Sequence, residues 1–102
     1  MLQLQLQLQP QTEERLKRVL AQHHDQEVFA QNIIAYQIAE LNKAILNIRL
    51  DLQPFEQKYL QSTEAFYRQF TAGTLDDTDD FIVWAGIYEM LQDNERQLEN
   101  IR

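Results

Sequence analysis

Residues 2–9 alternate strictly between apolar and amide side chains. Leucine occupies positions 2, 4, 6 and 8, glutamine occupies positions 3, 5, 7 and 9, and Pro10 follows. Because successive strand side chains point to opposite faces, the alternation predicts a β-strand with one aliphatic and one amide face. A single strand leaves its backbone hydrogen-bonding groups unpaired. We therefore expect it to pair with a second copy in an antiparallel ribbon, which implies an obligate dimer.

After Pro10 the apolar spacing changes from that of a strand to that of a helix. Val19 and Leu20 follow Leu16 by three and four residues. This spacing predicts a short amphipathic helix. Pro10 suits its first turn, because the missing N–H costs nothing there. The helix should end between residues 22 and 24, and the histidines at 23 and 24 fit a solvated helix end better than a metal pair.

A long helix should follow, with Asp25 as its N-cap. Its apolar seam alternates between intervals of four and three residues, as a helix that packs along another helix requires. The seam consists of Ile34, Ile38, Leu41, Ile45, Ile48, Leu52, Phe55 and Tyr59. Pro54 interrupts the seam and should kink or end the helix at about Gln53.

Two further helices are predicted beyond Pro54. Ser62 or Thr63 would cap a short helix, and Gly73 fits its left-handed stop. The aspartate-rich stretch at 76–80 predicts the N-cap and first turn of the last helix. The sequence thus predicts a mainly α fold: an intermolecular antiparallel β-ribbon, a long helix and a helical C-terminal arm.

The charge of the chain is unevenly distributed. The formal net charge is −7; residues 1–24 carry three basic and two acidic side chains, whereas residues 54–102 carry four basic and ten acidic ones. This asymmetry suggests two surfaces with two different partners. The absence of cysteine suits a reducing compartment, and no apolar run is long enough to cross a membrane. We expect a soluble, cytoplasmic protein without a membrane partner.

The sequence offers no arrangement typical of catalysis. No nucleophile, base and orienting group converge, and no glycine loop could cradle a phosphate. The aspartates at 76–80 lack the glycine and distant glutamate of a calcium loop. The sequence therefore predicts a protein that is not an enzyme and uses no cofactor, metal or small-molecule substrate.

The head of the chain resembles the ribbon-helix-helix family of DNA-binding proteins, the class of Arc and MetJ. The resemblance covers roughly residues 2–42 and lies in the Leu/Gln strand, in Pro-Gln-Thr-Glu-Glu-Arg-Leu and in Phe-Ala-Gln-Asn-Ile-Ile. The stretch from Phe55 to Leu91 resembles a tail of small prokaryotic antitoxin-like proteins, particularly cyanobacterial and archaeal ones. Together these resemblances imply a head at 1–48 that dimerises and binds DNA and a toxin-binding arm at 49–102.

The resemblance also implies roles for individual residues of the head. Gln3, Gln5 and Gln7 would read bases, because a glutamine amide matches the donor and acceptor of adenine. The leucine face would then belong to the dimer core. Phosphates would be held by Arg15, Lys17, Arg18 and the start of the long helix near Gln26. The expected dimer core is Leu2, Leu4, Leu6, Leu8, Leu16, Leu20, Ile33 and Ile34.

The C-terminal arm is rich in aromatic and acidic residues. Its aromatics exceed what a small core needs, so a partner surface is at least as probable as an internal core. The aspartates would attract a basic toxin. The expected toxin-binding residues are Phe55, Tyr59, Phe66, Tyr67, Phe70, Asp76, Asp77, Asp79, Asp80, Phe81, Trp84 and Tyr88.

These expectations define one function and its rivals. The chain would be a type II antitoxin that neutralises a basic, RelE/ParE-like toxin with its arm and represses its own operon with its ribbon. Its partners would be a second copy, operator DNA and the toxin. The first rival is a DNA-free helical dimerisation or adaptor protein, and the second is a ribbon-helix-helix regulator without a toxin.

Overall fold

Four helices account for most of the chain in the computed structural model, which describes residues 1–22 and 24–102. They are α1 (Pro10–Gln22), α2 (Gln26–Tyr59), α3 (Thr63–Thr71) and α4 (Asp79–Ile101). The predicted bounds of α1 are confirmed. His23, and with it half of the predicted solvated histidine pair, lies outside the described residues.

The chain divides into two units, Met1–Ile33 and Ile34–Arg102. The first contains the N-terminal segment, α1 and the first two turns of α2. The second contains the rest of α2 together with α3 and α4. All buried residues among those described belong to the second unit.

The predicted N-terminal strand is wrong, and with it the ribbon-helix-helix fold. Residues 1–9 form neither helix nor strand, and no β-sheet occurs anywhere in the described ranges. The side chains of Leu2, Leu4, Leu6 and Leu8 are all exposed. The alternation describes side-chain chemistry, but a strand exists only through hydrogen bonds to a neighbouring strand. No described segment of the chain supplies that neighbour.

The long helix does not end before Pro54 but continues through it to Tyr59. Proline inside a helix removes one backbone hydrogen bond and crowds the preceding turn, at a cost of about 3 kcal/mol. Packing on both sides of it offsets this cost. Leu52 is buried in the core, and the rings of Phe55 and Tyr59 pack against it. From Ile45 to Tyr59 the predicted seam is thus the core-facing side of α2, whereas Ile34 at its start is exposed.

Side-chain caps begin the helices as predicted. The Asp25 carboxylate accepts hydrogen bonds from the backbone N–H groups of Glu27 (3.0 Å) and Val28 (3.3 Å). Ser62 caps α3 and Thr78 caps α4, each by accepting from the N–H three residues later. Gly73, with φ of 74°, provides the predicted left-handed conformation after α3.

The core of the second unit is built around stacked aromatic rings. Phe66 of α3 and Trp84 of α4 are fully buried, with ring centroids 3.8 Å apart and planes only 2° from parallel. Phe55 and Tyr59 of α2 stack on Trp84 at 5.7 and 5.6 Å. Three helices therefore meet at one indole ring.

A buried hydroxyl satisfies the polar groups next to this stack. Thr63, 1% exposed, accepts a hydrogen bond from the Trp84 indole Nε1 (2.9 Å) and donates one to the Glu56 carboxylate (2.8 Å). The same carboxylate accepts from the Thr63 backbone N–H at 3.0 Å. Within the described residues, no buried side-chain nitrogen or oxygen lacks a hydrogen-bond partner.

We expect Thr63→Val to lower the free energy of unfolding by about 1–3 kcal/mol. The substitution preserves shape but leaves the buried indole N–H without an acceptor. Thr71→Val is the matched control, because the Thr71 hydroxyl is exposed and bonds only to carbonyls of its own helix. The control should change stability by less than about 0.5 kcal/mol in urea denaturation. Equal effects of the two substitutions would contradict the role of the Thr63 hydroxyl.

Leu60 directly follows the last residue of α2 and has a left-handed backbone conformation, with φ of 53°. Its side chain is 89% exposed. This conformation strains any residue with a Cβ atom, whereas glycine adopts it freely. We expect Leu60→Gly to raise the free energy of unfolding by about 0.5–1 kcal/mol, because the exposed leucine side chain loses no packing. Leu60→Ala keeps the strain and should give no such gain in the same measurement.

Candidate functional site

The first unit leaves its apolar side chains uncovered. None of its described residues is buried, and only Leu16 and Phe29 are half-buried. We call its large exposed aliphatic side chains the N-terminal apolar surface: Leu2, Leu4, Leu6, Leu8, Val19, Leu20, Val28 and Ile33. So many exposed aliphatic side chains in a short segment are typical of a surface that a partner covers.

In helix α1 acidic side chains precede basic ones along the helix axis. Glu13 and Glu14 lie before Leu16, and Lys17 and Arg18 lie after it. Within the chain, Lys17 is 3.6 Å from Glu13 and Arg18 is 3.7 Å from Glu14. These exposed pairs stabilise the helix only slightly. Apart from Arg15, the charged side chains before Leu16 are thus acidic and those after it are basic.

The residues predicted to bind DNA lie in the N-terminal segment, on α1 and at the start of α2, and their binding to DNA stays a prediction. Gln3, Gln5 and Gln7 are exposed but lie outside any strand, so their assignment as base readers loses its structural basis. Lys17 and Arg18 are paired with glutamates, and Arg15 is exposed on the same helix. At the start of α2, beside Gln26, the backbone N–H groups of Glu27 and Val28 donate hydrogen bonds to the Asp25 carboxylate. A phosphate would have to displace this negative charge.

Seven of the eight predicted dimer-core residues are exposed in the described part of the chain. Leu16 is half-buried, whereas Leu20, Ile33 and Ile34 are exposed together with the four N-terminal leucines. These apolar side chains therefore remain available to a partner, although no ribbon arranges them. The dimer itself stays a prediction.

Most of the aromatics predicted to bind a toxin pack inside the second unit instead. Phe66 and Trp84 are fully buried. The other six are half-buried against the same core: Phe55, Tyr59, Tyr67, Phe70, Phe81 and Tyr88. The structure thus supports the internal-core alternative for these rings. The sequence pattern could not separate the alternatives, because aromatic rings at helical spacing suit both a core and an interface.

Among the predicted aspartates, only Asp80 has side-chain partners elsewhere in the fold. Its Oδ2 accepts hydrogen bonds from Lys58 Nζ (2.7 Å) and from the Tyr59 hydroxyl (2.6 Å), which tie the end of α2 to the start of α4. The hydrogen bond from Lys58, followed by that from Tyr59, lowers the pKa of Asp80. The hydrogen bond to Asp80 raises the pKa of the Tyr59 phenol. Asp76, Asp77 and Asp79 remain exposed.

A second exposed apolar surface lies on α4, where the sequence analysis placed none. We call it the α4 outer face; it consists of Ile82, Val83, Gly86 and Met90, and its three side chains are 53, 52 and 55% exposed. Ile82, Gly86 and Met90 follow one another at intervals of four residues, so they share one side of the helix. This spacing was visible in the sequence, but the adjacent core aromatics gave the stronger signal.

The described residues contain neither a candidate metal site nor a candidate membrane-spanning helix. No group of three or more histidine, cysteine, aspartate or glutamate side chains there could hold a metal ion. None of the helices combines the length and apolar character needed to cross a membrane, as far as the described residues go. Comparison with known protein families, curated proteins and solved structures found no match for this chain.

We expect acid to destabilise the protein partly through Asp80. Because its pKa is lowered in the folded state, Asp80 stabilises the fold above the unfolded pKa of about 3.9, and this contribution is lost as the pH falls through the lower folded value. The free energy of unfolding of Asp80→Asn should therefore lie below that of the wild type near neutral pH and approach it as the pH falls below the unfolded pKa of about 3.9. Urea denaturation at several pH values measures the free energy of unfolding of the wild type and of the variant. Asp77→Asn, which removes an exposed carboxylate from the preceding loop, is the control and should parallel the wild type.

Proposed function

We propose that this chain is a helical adaptor protein, not an enzyme, that dimerises through its first unit and presents its second unit to another protein. The observation that carries the proposal is the contrast in burial between the units. The second unit has a closed aromatic core, whereas none of the described residues of Met1–Ile33 is buried. An uncovered aliphatic segment beside a well-packed one is what an association segment requires.

The gain from covering the N-terminal apolar surface is large enough to drive association. Complete burial of one leucine, isoleucine or valine side chain stabilises by about 1.5–3 kcal/mol. A micromolar dimer requires a net free energy of only about 8 kcal/mol. Burial of part of this surface therefore suffices, even after the loss of translational and side-chain freedom on association is included.

The charge order of α1 favours a second copy as the occupant. When two copies of α1 pack antiparallel about Leu16, Glu13 and Lys17 lie at one edge of the contact. Glu13 of each copy then lies beside Lys17 of the other, and the helix dipoles oppose each other favourably. The second unit offers no such match, because residues 54–102 carry ten acidic and only four basic side chains. Two copies of that surface would repel each other.

The antitoxin function stays a prediction within this proposal. Its neutralising half needs a surface for a basic protein, and the acidic second unit supports that half. Its repressor half depended on the ribbon, and we do not propose it. The cytoplasmic location belongs to the same proposal and is supported by the cysteine-free sequence.

We expect the full chain to be a dimer whose strength depends on the Glu13–Lys17 contacts. Two such contacts form per dimer, so Glu13→Lys or Lys17→Glu alone should weaken the dimer about 5–30-fold by replacing attraction with repulsion. An equimolar mixture of the two variants should form a heterodimer of nearly wild-type strength, because the opposite charges then face each other again. Sedimentation equilibrium measures the dissociation constants.

A charge reversal on the second unit is the control for this experiment. Arg96 forms an ion pair with Asp93 on α4 and is about as exposed as Lys17. Arg96→Glu should leave the dimer unchanged. The proposal fails when the wild-type chain remains monomeric at about 100 µM, and the antiparallel arrangement fails when the mixture is no stronger than the separate variants.

A further inference from the structure

The α4 outer face is apolar and exposed among the described residues. Ile82, Val83 and Met90 expose about half of their surface, while the opposite side of the same helix holds the buried Trp84, Ala85 and Leu91. Helix α4 is therefore apolar on two sides. A surface helix that serves only its own core needs one apolar side and is polar on the other. The outer face is thus not explained by the fold of the second unit.

Gly86 at the centre of this face has no structural reason to be glycine. Glycine is the least favourable helix-interior residue after proline. A Cβ atom built at this position meets nothing within 4 Å, and the residue lies well inside α4. Packing within the chain therefore does not require glycine at this position. A second helix that crosses at Gly86 would require it, because the absence of a side chain lets the two backbones approach closely.

The charges around the face specify the partner. Asp79 and Glu89 lie one turn from its apolar residues on α4, whereas the charge of Asp93, also one turn away, is neutralised by Arg96. Two of the four basic residues in 54–102 are already paired, Lys58 with Asp80 and Arg96 with Asp93. The surroundings of the face therefore stay acidic, which disfavours a second copy and an anionic lipid surface and favours a basic protein.

We propose that the α4 outer face binds a basic amphipathic helix of a partner protein, with the crossing point at Gly86. Apolar side chains of the partner pack against Ile82, Val83 and Met90, a small residue lies over Gly86, and lysine or arginine side chains at the edge of the contact meet the acidic residues. This inference rests on the proposed adaptor function, because it names the partner of the second unit. Dimerisation through the first unit is measured separately, so the two proposals can fail independently.

The test uses the full chain and a synthetic helical peptide with leucine and alanine on one side and lysine on the other. Its binding is followed by titration calorimetry and by the backbone amide NMR shifts of α4. A peptide of the same composition in scrambled order and a version with glutamate in place of lysine are the controls. We expect binding with shifts centred on Ile82, Gly86 and Met90, at least tenfold weaker binding of both control peptides, and weaker binding at high salt.

Variants of the chain separate the face from general stickiness. Met90→Lys and Gly86→Leu should each weaken peptide binding at least tenfold. Leu50→Lys, on α2, is the matched control because Leu50 is 51% exposed, and it should change binding less than twofold. Gly86→Ala should raise the urea midpoint of unfolding, since alanine is the better helix former, and yet weaken binding. This opposite response separates a binding role from a structural one.

Three results would overturn the inference. The scrambled peptide binds as well as the amphipathic one, Leu50→Lys weakens binding as much as Met90→Lys, or Met90→Lys dissociates the dimer in sedimentation. The last result would assign the α4 outer face to contacts between copies of this chain.

Discussion

The indole of Trp84 is the contact on which the second unit depends. Its ring lies against Phe66 of α3 and against Phe55 and Tyr59 of α2, so one side chain joins three helices. Its only polar atom is satisfied by Thr63, whose position is held in turn by Glu56. Large aromatic surfaces and a complete hydrogen-bond network make this a well-determined core in a small unit. The helical continuation through Pro54 follows from it, because Phe55 and Tyr59 must reach the indole from beyond the proline.

The first unit has no comparable contact. Its leucines, valines and isoleucine are as apolar as those of the second unit, but none of its described residues is buried. The same physical force therefore has two outcomes in the described residues. The second unit buries an apolar core internally, whereas we propose that association covers the apolar side chains of the first unit. This difference in burial, together with the charge order of α1, supports a dimerising adaptor with a separate partner surface on α4.

Local features of the fold were predictable from the sequence, whereas contacts distant in sequence were not. Asp25, Ser62 and Gly73 were correctly identified as helix signals, because caps and left-handed stops depend on a few neighbouring residues. The N-terminal strand was wrong, because a strand requires a pairing partner that the local pattern of Leu2 to Leu8 does not reveal. The helix break at Pro54 was wrong because core packing outweighed the local cost. Phe66 and Trp84 were assigned to a toxin surface, since spacing alone does not tell which apolar side of a helix is covered.

Site-specific cross-linking tests the central claim, that a second copy covers the first unit, most directly. The chain contains no cysteine, so single substitutions report on one position each. Leu16→Cys places a thiol at the centre of the antiparallel α1 pair, and Met90→Cys places one on the α4 outer face. We predict that a short bis-maleimide joins two copies rapidly through Leu16→Cys and only slowly through Met90→Cys. Equal rates at the two positions, or no cross-linked dimer through Leu16→Cys, would contradict the account.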